Sequence, residues 1–487
     1  MMDRRHFIKT SALSGILLGL GLPSLPAAAT TTPRRMGRVR LRVGILSDTH
    51  VKDEPSRDRF LKALRYFRDR KVDAVIIAGD LSDNGLVPEY KRMASAWFEV
   101  FPDDKGSDGE KVERIFVYGN HEIESWRYGY VKKLYDEPTR KALAIEPVKE
   151  QLWEECWHEP FSPIYIKDVK GYKFIGAHYV NRKTIPGLEA FFQQVDTQLP
   201  KGKKPFFYVQ HMHPKGTCSS PWVWGQDDGT VTTILSRYPN AIAFSGHSHT
   251  PLTDERTIWQ GAFTSIGTAS LSYMIPIGGR ENSKPFGSKE KEPSQMAPIK
   301  GREGHHGQMM TLFDDYIVID RHEFEYDEDL GRWIFPLGQE QKPYAFEERA
   351  AEENAPQFSE GAAVTVSPSF EGADRYGVPT RQVEVSFPAA VAHDGHPRPL
   401  DYEVQVEVEG VDVFKAVLTK RVYSGRFFLG EKKDAEAPVR CLFAENELPP
   451  QGRYRFSVRP CSGFGKKGES ICSSVVSVLH APDALSI

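Results

Sequence analysis

An α/β domain followed by a small all-β sandwich is the fold this sequence predicts, and three observations predict it. From residue 40 to about 325, short apolar strands alternate with amphipathic helical segments. Beyond about residue 345 the helical spacing stops, and apolar–polar alternation between turn residues takes over. Several strands of the first region run within a residue or two into Asp, Asn or His, as strands do where a sheet edge carries a site.

The opening segment is "MDRRHFIKTSALSGILLGLGLPSLPAAATTTP". It has a basic start, a short apolar run from Ala12 to Leu25 and small residues from Ala27 to Ala29. That order is the one an export signal needs, and the run is too short for an ordinary membrane span. Arg4 and Arg5, followed by Phe7 and Lys9, resemble a twin-arginine leader. Residues 1–29 are therefore expected to be an export signal, and the mature protein to be periplasmic or secreted, with no transmembrane segment after signal removal. The net charge of −3 gives no basic footprint, so no nucleic acid polymer is expected as a partner. Five cysteines form no CxxC pair; Cys461 and Cys472 are either bridged or left free on adjacent strands.

Val43 to Ser47 reads as the first strand, and Arg57 to Arg70 as a helix with Phe60, Leu61, Leu64 and Phe67 on one face. "DAVIIA", residues 73 to 78, is continuously apolar, as a strand buried on both faces must be. A helix over Tyr90 to Phe101 and a strand over Ile115 to Tyr118 follow. Next come the strand "KFIGAHYV", a helix carrying Leu188, Phe191, Phe192, Val195 and Leu199, and the strands "FFYVQH" and "AIAFSGH". Residues 213–230 and 276–308 interrupt the alternation as long loops, which in compact domains are often functional or disordered.

Residues 326–360, including "FEERAAEENAPQFSEGA", read as a linker, and 361–482 as a β-sandwich. Within it "LPPQGRYRFSVRPCSGFGKKGES" resembles the end of a fibronectin type III module, with Tyr454 at the corner. "GFGKKGES" is no phosphate loop, because Glu469 stands where the lysine belongs and strands, not a helix, flank it.

Five strand ends carry the chemistry. "ILSDTH" ends on Asp48 and His50, "IIAGD" on Asp80, "VYGNHE" on Asn120 and His121, "YVQHMH" on His211 and His213, and "AFSGHSH" on His247 and His249. One such end is an ordinary packed or solvated side chain; five in succession point to a site. Two aspartates, one asparagine and four histidines offer mixed oxygen and nitrogen donors without thiolate, a set suited to zinc, manganese or iron. Seven donors exceed one tetrahedral ion but suit two ions sharing a carboxylate. Two divalent ions bring four positive charges; Asp48, Asp80 and a bridging hydroxide leave about +1, which favours an anionic phosphate ester.

These residues resemble, in identity and order, the calcineurin-like metallophosphoesterase superfamily: Asp48-x-His50, Gly79-Asp80, Gly119-Asn120-His121-Glu122, His211 and Gly246-His247-x-His249. The resemblance spans residues 42 to about 323 and places a catalytic domain at 40–325. It implies a four-layer sandwich of two mixed β-sheets flanked by helices. It also implies two first-row metal ions (Fe, Mn or Zn), with Asp48, His50 and His249 on the first, Asn120, His211 and His247 on the second, and Asp80 bridging. His121 would stay off the metals and assist the leaving group, while metal-bound hydroxide attacks a phosphodiester or phosphomonoester in line. "GDLSDNG" is similar to the class III phosphodiesterases, and the absence of tyrosine at Asp83 disfavours an iron–tyrosinate centre.

The segment after His211 is expected to overhang the metals. Trp222 and Trp224 either stack on substrate or pin the loop; His213 either contacts phosphate or supports its neighbours. Glu122 is expected to orient a neighbour, Asp227 and Asp228 to be exposed turn residues, and "GREGHHGQ", with Arg302, His305 and His306, to be a solvated loop. The substrate is expected to be a phosphate-ester small molecule or headgroup, and the oligomeric state stays open. The competing reading is a non-catalytic metal-binding scaffold that binds a partner or glycan through its β-sandwich; intact ligands and His121 weigh against it.

Overall fold

A computed structural model describes residues 37–477 apart from 182–183, 220–221, 224, 276–294, 297–303, 339–340, 352–353, 375–376, 391–398, 412, 425–436 and 450–451. The strands, in chain order, begin with β1 (Leu41–Leu46), β2 (Ala74–Ala78) and β3 (Glu113–Val117). Then come β4 (Ile164–Val169), β5 (Tyr172–Ala177), β6 (Phe206–Val209), β7 (Ala241–Ser245), β8 (Ile258–Gln260) and β9 (Thr264–Gly267). After the short β10 (Gln295–Met296) follow β11 (His306–Leu312), β12 (Tyr316–Glu323) and β13 (Glu328–Pro336).

Two mixed sheets result, ordered β13-β12-β11-β1-β2-β3 and β4-β5-β6-β7-β9-β8. In the first, β1-β2-β3 run parallel out to one edge and β11-β12-β13 extend the other by antiparallel pairing; in the second, β5-β6-β7-β9 are parallel, with β4 and β8 antiparallel at the two edges. The sheets face each other across Val43, Ile45, Ile76, Phe207, Phe244 and Ile266, all buried. On the outer face of the first sheet, helix α1 (Glu54–Asp69), helix α2 (Val87–Val100) and residues 149–157 cover Val75, Ile77 and Phe116. Leu188, Phe192, Val231 and Leu235, on two short helices, cover the second. Helices therefore flank two sheets in four layers, and "AVIIA" is continuously apolar because its alternate residues enter two different cores.

Local chemistry sets the element ends. Asp53 caps α1, its carboxylate accepting from the Ser56 amide while Ser56 answers the Asp53 amide. Helix α2 starts at Val87, ahead of the expected Tyr90, because Pro88 fits the first turn, where its missing N–H is not needed. Two readings are corrected. Residues 328–336, expected in the linker, form β13, whose Leu330, Trp333 and Phe335 join the inter-sheet core. His305 and His306 are buried at the start of β11, not in a solvated loop; His306 Nδ1 accepts from the Leu252 amide at 3.1 Å. Arg302 lies outside the described residues.

The C-terminal region is an antiparallel β-sandwich. β16 (Pro379–Phe387) pairs with β14 (Thr365–Val366), β15 (Phe370–Ala373) and β19 (Val439–Ala444) in one sheet. β17 (Pro399–Glu409), β18 (Phe414–Tyr423), β20 (Arg453–Ser462), β21 (Ile471–Cys472) and β22 (Val476–Ser477) build the other, with β10 added parallel to β18 at its edge. Val385, Phe387, Tyr402, Val404, Phe443, Phe456 and Val458 fill its core. Cys461 and Cys472 are both free, and Cys472 sits opposite Ser457 rather than Cys461. No helix among the described residues is long and apolar enough to cross a membrane.

Candidate metal centre

Strands β1, β2, β3, β6 and β7 deliver the chemistry-bearing residues to one place. The backbone turns there at unusual angles: Asp48, His50, Asp80, His247 and His249 all have φ between 44° and 71°. Non-glycine residues in that region are uncommon and strained, and such strain gathers at functional sites. The loops hold one another in this shape. The Asp48 amide donates to the Gly79 carbonyl at 2.9 Å and the His50 amide to the Asp80 carbonyl at 3.0 Å. The Gly246 amide donates to the His211 carbonyl at 2.9 Å, and Ser270 Oγ donates to the Asp48 carbonyl at 3.0 Å.

Three histidines are oriented alike. Nδ1 of His50 donates to Asp83 Oδ1 (3.0 Å), that of His211 to the Ala78 carbonyl (2.8 Å) and that of His249 to the Tyr273 carbonyl (2.9 Å). Those oxygens only accept, so each ring carries a proton on Nδ1 and turns Nε2 inward, free to bind a metal ion or, on His211, a second proton. His50 Nε2 and His249 Nε2 then stand 3.2 Å apart, and His211 Nε2 lies 3.0 Å from His247 Nδ1 and 2.9 Å from Asn120 Oδ1. Acceptors crowded this closely need a cation among them, a metal ion or, on His211, a proton. The donor set thus fits metal ions on its own geometry.

The carboxylates complete two adjoining groups. Asp48, His50, Asp80 and His249 form one, and Asp80, His211 and His247 the other, with ligand atoms within 4.8 Å of one another in each. Asp80 Oδ2 faces both, at 3.1 Å from His211 Nε2 and 3.8 Å from His50 Nε2, while Oδ1 accepts from the His121 amide at 2.8 Å. Asp48 Oδ1 is 2.9 Å from His249 Nε2, and Oδ2 accepts from the His247 amide at 3.0 Å. Burial pushes the Asp80 carboxyl upward, but His211 and His121 outweigh it and hold it well below the carboxylate range. Burial would lower His211, yet Asp80 and Asp48 push it up to about 9. Two buried carboxylates demand positive charge at this point.

His121 points elsewhere. Its Nδ1 donates to the Asp83 carbonyl, and Nε2 lies 3.9 Å from Asp80 Oδ2. Burial opposes the imidazolium, but Asp80 and Asp83 hold its pKa above the ordinary value. Glu122 orients its neighbours as expected: one oxygen accepts from the Ser82 amide (2.7 Å) and hydroxyl (3.0 Å), the other from the Gly119 amide (2.8 Å). It stitches the loop after β2 to the loop after β3, and burial followed by the Asp80 charge raises its pKa to about 7.

Of the three substrate-contact candidates, His213 and Trp222 lie among the described residues. His213 is buried, with Ser245 Oγ at 2.8 Å from Nδ1 and Ser248 Oγ at 2.6 Å from Nε2, and burial pushes it down to about 4. It braces the turn between His247 and His249, both of its ring nitrogens engaged by serine hydroxyls. Trp222 packs on Phe346 (5.2 Å between centroids) and on Phe464 of the sandwich (6.0 Å), under the Arg256 guanidinium (5.4 Å). It pins its loop, the other role open to it. Trp224 lies outside the described residues. Asp227, expected in an exposed turn, is buried and accepts from Gln210 Nε2, the Lys215 amide and the Gly229 amide.

Several functional neighbours carry no plain sequence signal. Asp83 orients His50 with its side chain and His121 with its carbonyl, while Lys52 Nζ, 2.9 Å from Asp83 Oδ2, balances its charge. Tyr128 meets His121 edge-on at 5.8 Å, and Tyr273 lies 4.3 Å from the His249 ring. Only Asp83, three residues after Asp80 in the same loop, could have been sought from spacing.

Residues 41–251 match the sequence model of the calcineurin-like phosphoesterases. None of the curated proteins matches significantly. Among solved structures, a dimetal phosphatase from Danio rerio aligns at 10% identity and TM-score 0.36, covering 62% of this chain and 100% of its own. GAP50, the anchor in the inner membrane complex of Plasmodium, aligns at 12% identity and TM-score 0.37, over 63% of this chain and 91% of its own. Vacuolar protein sorting 29 from Cryptosporidium parvum aligns at 10% identity and TM-score 0.29, over 62% and 100%.

Proposed function

We propose that this chain, which belongs to the calcineurin-like phosphoesterase family through residues 41–251, is an exported dinuclear metal-dependent phosphohydrolase acting on phosphate monoesters or diesters. One observation carries the reading: donors from the strand ends of two sheets converge in two adjoining groups that share Asp80. Asp48, His50 and His249 would hold one ion, Asn120, His211 and His247 the second, with Asp80 common to both. Zinc, manganese and iron all suit such donors. When bound, ions of this kind polarise a phosphoryl oxygen and make a nucleophile available from water near neutral pH.

The chain's own residues do the rest. With Nδ1–H spent on the Asp83 carbonyl, His121 presents Nε2 toward the Asp80 side of the site. A proton at that nitrogen binds a phosphoryl oxygen and passes to the departing alkoxide, the work expected of a positioned imidazolium. Glu122 holds the two loops in register through Ser82 and Gly119, so that Asp80 and His121 keep their spacing.

The test is hydrolysis of an aryl phosphate and a bis-aryl phosphodiester by protein loaded with manganese or zinc. Turnover of either is expected, and the ratio names the preferred ester. No turnover of either with two ions bound per chain would overturn the reading. Export rests on the leader: Arg4→Lys with Arg5→Lys should leave the protein in the cytoplasmic fraction, and unchanged export would remove the twin-arginine route.

A further inference from the structure

We infer that Glu124, acting through Tyr128, fixes which face of the Asn120 amide is turned to the second ion, making Glu124 and Tyr128 positioning residues for that ion's site. The inference rests on the reading of Asn120 as a ligand, and it follows from the direction of three hydrogen bonds.

Glu124 is a carboxylate, and a carboxylate only accepts. Tyr179 OH reaches one of its oxygens at 2.8 Å and Tyr128 OH the other at 3.2 Å, so both phenols donate to it. A phenol has one proton. Once Tyr128 has given its proton to Glu124, its oxygen can only accept toward Asn120, 3.1 Å away. Asn120 must therefore present its NH₂ to Tyr128, and its carbonyl oxygen is left facing His211 Nε2 at 2.9 Å. An amide has nearly the same shape either way round, so sterics alone do not choose between an oxygen and an NH₂ at the metal position. An NH₂ there would bring two donor hydrogens to a cation. The carboxylate three residues beyond His121 makes the choice.

The frame behind the relay is rigid. Tyr179 is buried and packs with Ile123 and Met212, and its amide donates to the Tyr118 carbonyl at 3.0 Å. Asn120, His121 and Glu124 share the short helix α3 (Asn120–Glu124), so one turn of chain carries the ligand, the proton donor and the residue that orients the ligand. Outer partners of this kind commonly change metal affinity by about 10- to 100-fold.

The experiment is titration of the full chain, stripped by a chelator, with Mn²⁺ or Zn²⁺, resolving the first and second ions. Tyr128→Phe is expected to weaken the second ion by about 10-fold or more and leave the first within about 2-fold. Glu124→Leu, which removes the acceptor but keeps Tyr128, should act in the same direction. Asn120→Asp supplies oxygen on both faces and needs no orienting, so Tyr128→Phe in that background should change second-ion affinity by less than about 2-fold. Second-ion affinity unchanged in folded Tyr128→Phe, or weakened equally in the Asn120 and Asp backgrounds, would overturn the inference. Because the readout is ion affinity, a protein that bound two ions without hydrolysing any ester would defeat the phosphohydrolase reading and leave this one standing.

Discussion

Gly225 lies flat against the imidazole of His247: a methyl group on its Cα would fall 1.9 Å from Cδ2 and 2.5 Å from Nε2. Its φ of 87° is also one that a side chain resists. Gly225→Ala should therefore move His247 out of the ion-binding group, through a ring clash of the size that overpacking costs, about 1–3 kcal/mol. The expected outcome is a folded protein with one ion in place of two and activity down by about 10-fold or more. Metal analysis of the purified variant decides it, and two tightly held ions would show that His247 tolerates the shift.

The proposed function gives the neighbours Asn120 and His121 separate tasks, so their variants should part company. Asn120→Ala is expected to lower occupancy of the second ion, because its carbonyl oxygen stands 2.9 Å from His211 Nε2. His121→Ala should keep both ions and lose about 10²- to 10⁴-fold in rate, the usual worth of a positioned proton donor. If excess metal restores the His121→Ala rate, the division of labour is wrong.

The sandwich packs against Trp222, three residues before the Gly225 that abuts His247. Phe464, buried, packs on Phe346 (5.2 Å) and Trp222 (6.0 Å), and the loop continues from Trp222 to Gly225. Phe464→Ala removes a ring whose burial is worth about 3–5 kcal/mol in a packed core. Amide exchange should quicken at Ser219, bound to the Arg256 carbonyl, and at Asp227, bound to the His213 carbonyl. Protection unchanged at both amides would separate the sandwich from the loop.

Acid stability has an identifiable contributor in His178. It is enclosed by Tyr118, Trp153 and Phe161, its Nδ1 accepts from the Tyr118 amide at 3.0 Å, and burial, helped by the Lys167 charge, pushes it down to about 3. Below its ordinary 6.5 the unfolded chain takes up a proton that the folded chain refuses. The stability it contributes is complete above 6.5 and falls by about 1.4 kcal/mol per pH unit until about 3. His178→Asn, which keeps an acceptor but does not titrate, should flatten the slope of urea stability between about pH 4 and 6 by close to one proton. An unchanged slope would mean that other groups dominate.

How far the site could be read in advance depends on where each residue stands. Asp48, His50, Asp80, Asn120, His211, His247 and His249 follow apolar runs directly, and parallel strands must end at a common edge, so residue type and order suffice. Tyr128, Glu124 and Tyr179 meet only after β3 and β5 are placed side by side with their following loops, and no spacing announces it. For His213 the sequence leaves phosphate contact and support of its neighbours equally open, and only the fold shows it between Ser245 and Ser248. β13 hid in a stretch rich in Glu and Asp because, as the edge strand of its sheet, it shows Asp329 and Arg332 to solvent, and a register shift breaks the alternation of its buried Leu330, Trp333 and Phe335.

Each ion-binding group draws on both sheets: Asp48, His50 and Asp80 come from the first, His211, His247 and His249 from the second. An ion held there is a rivet across a seam. Neither half of the chain can assemble the site alone, so tight metal uptake reports that the two halves have docked, and a chelator loosens a mechanical joint as well as a reaction centre.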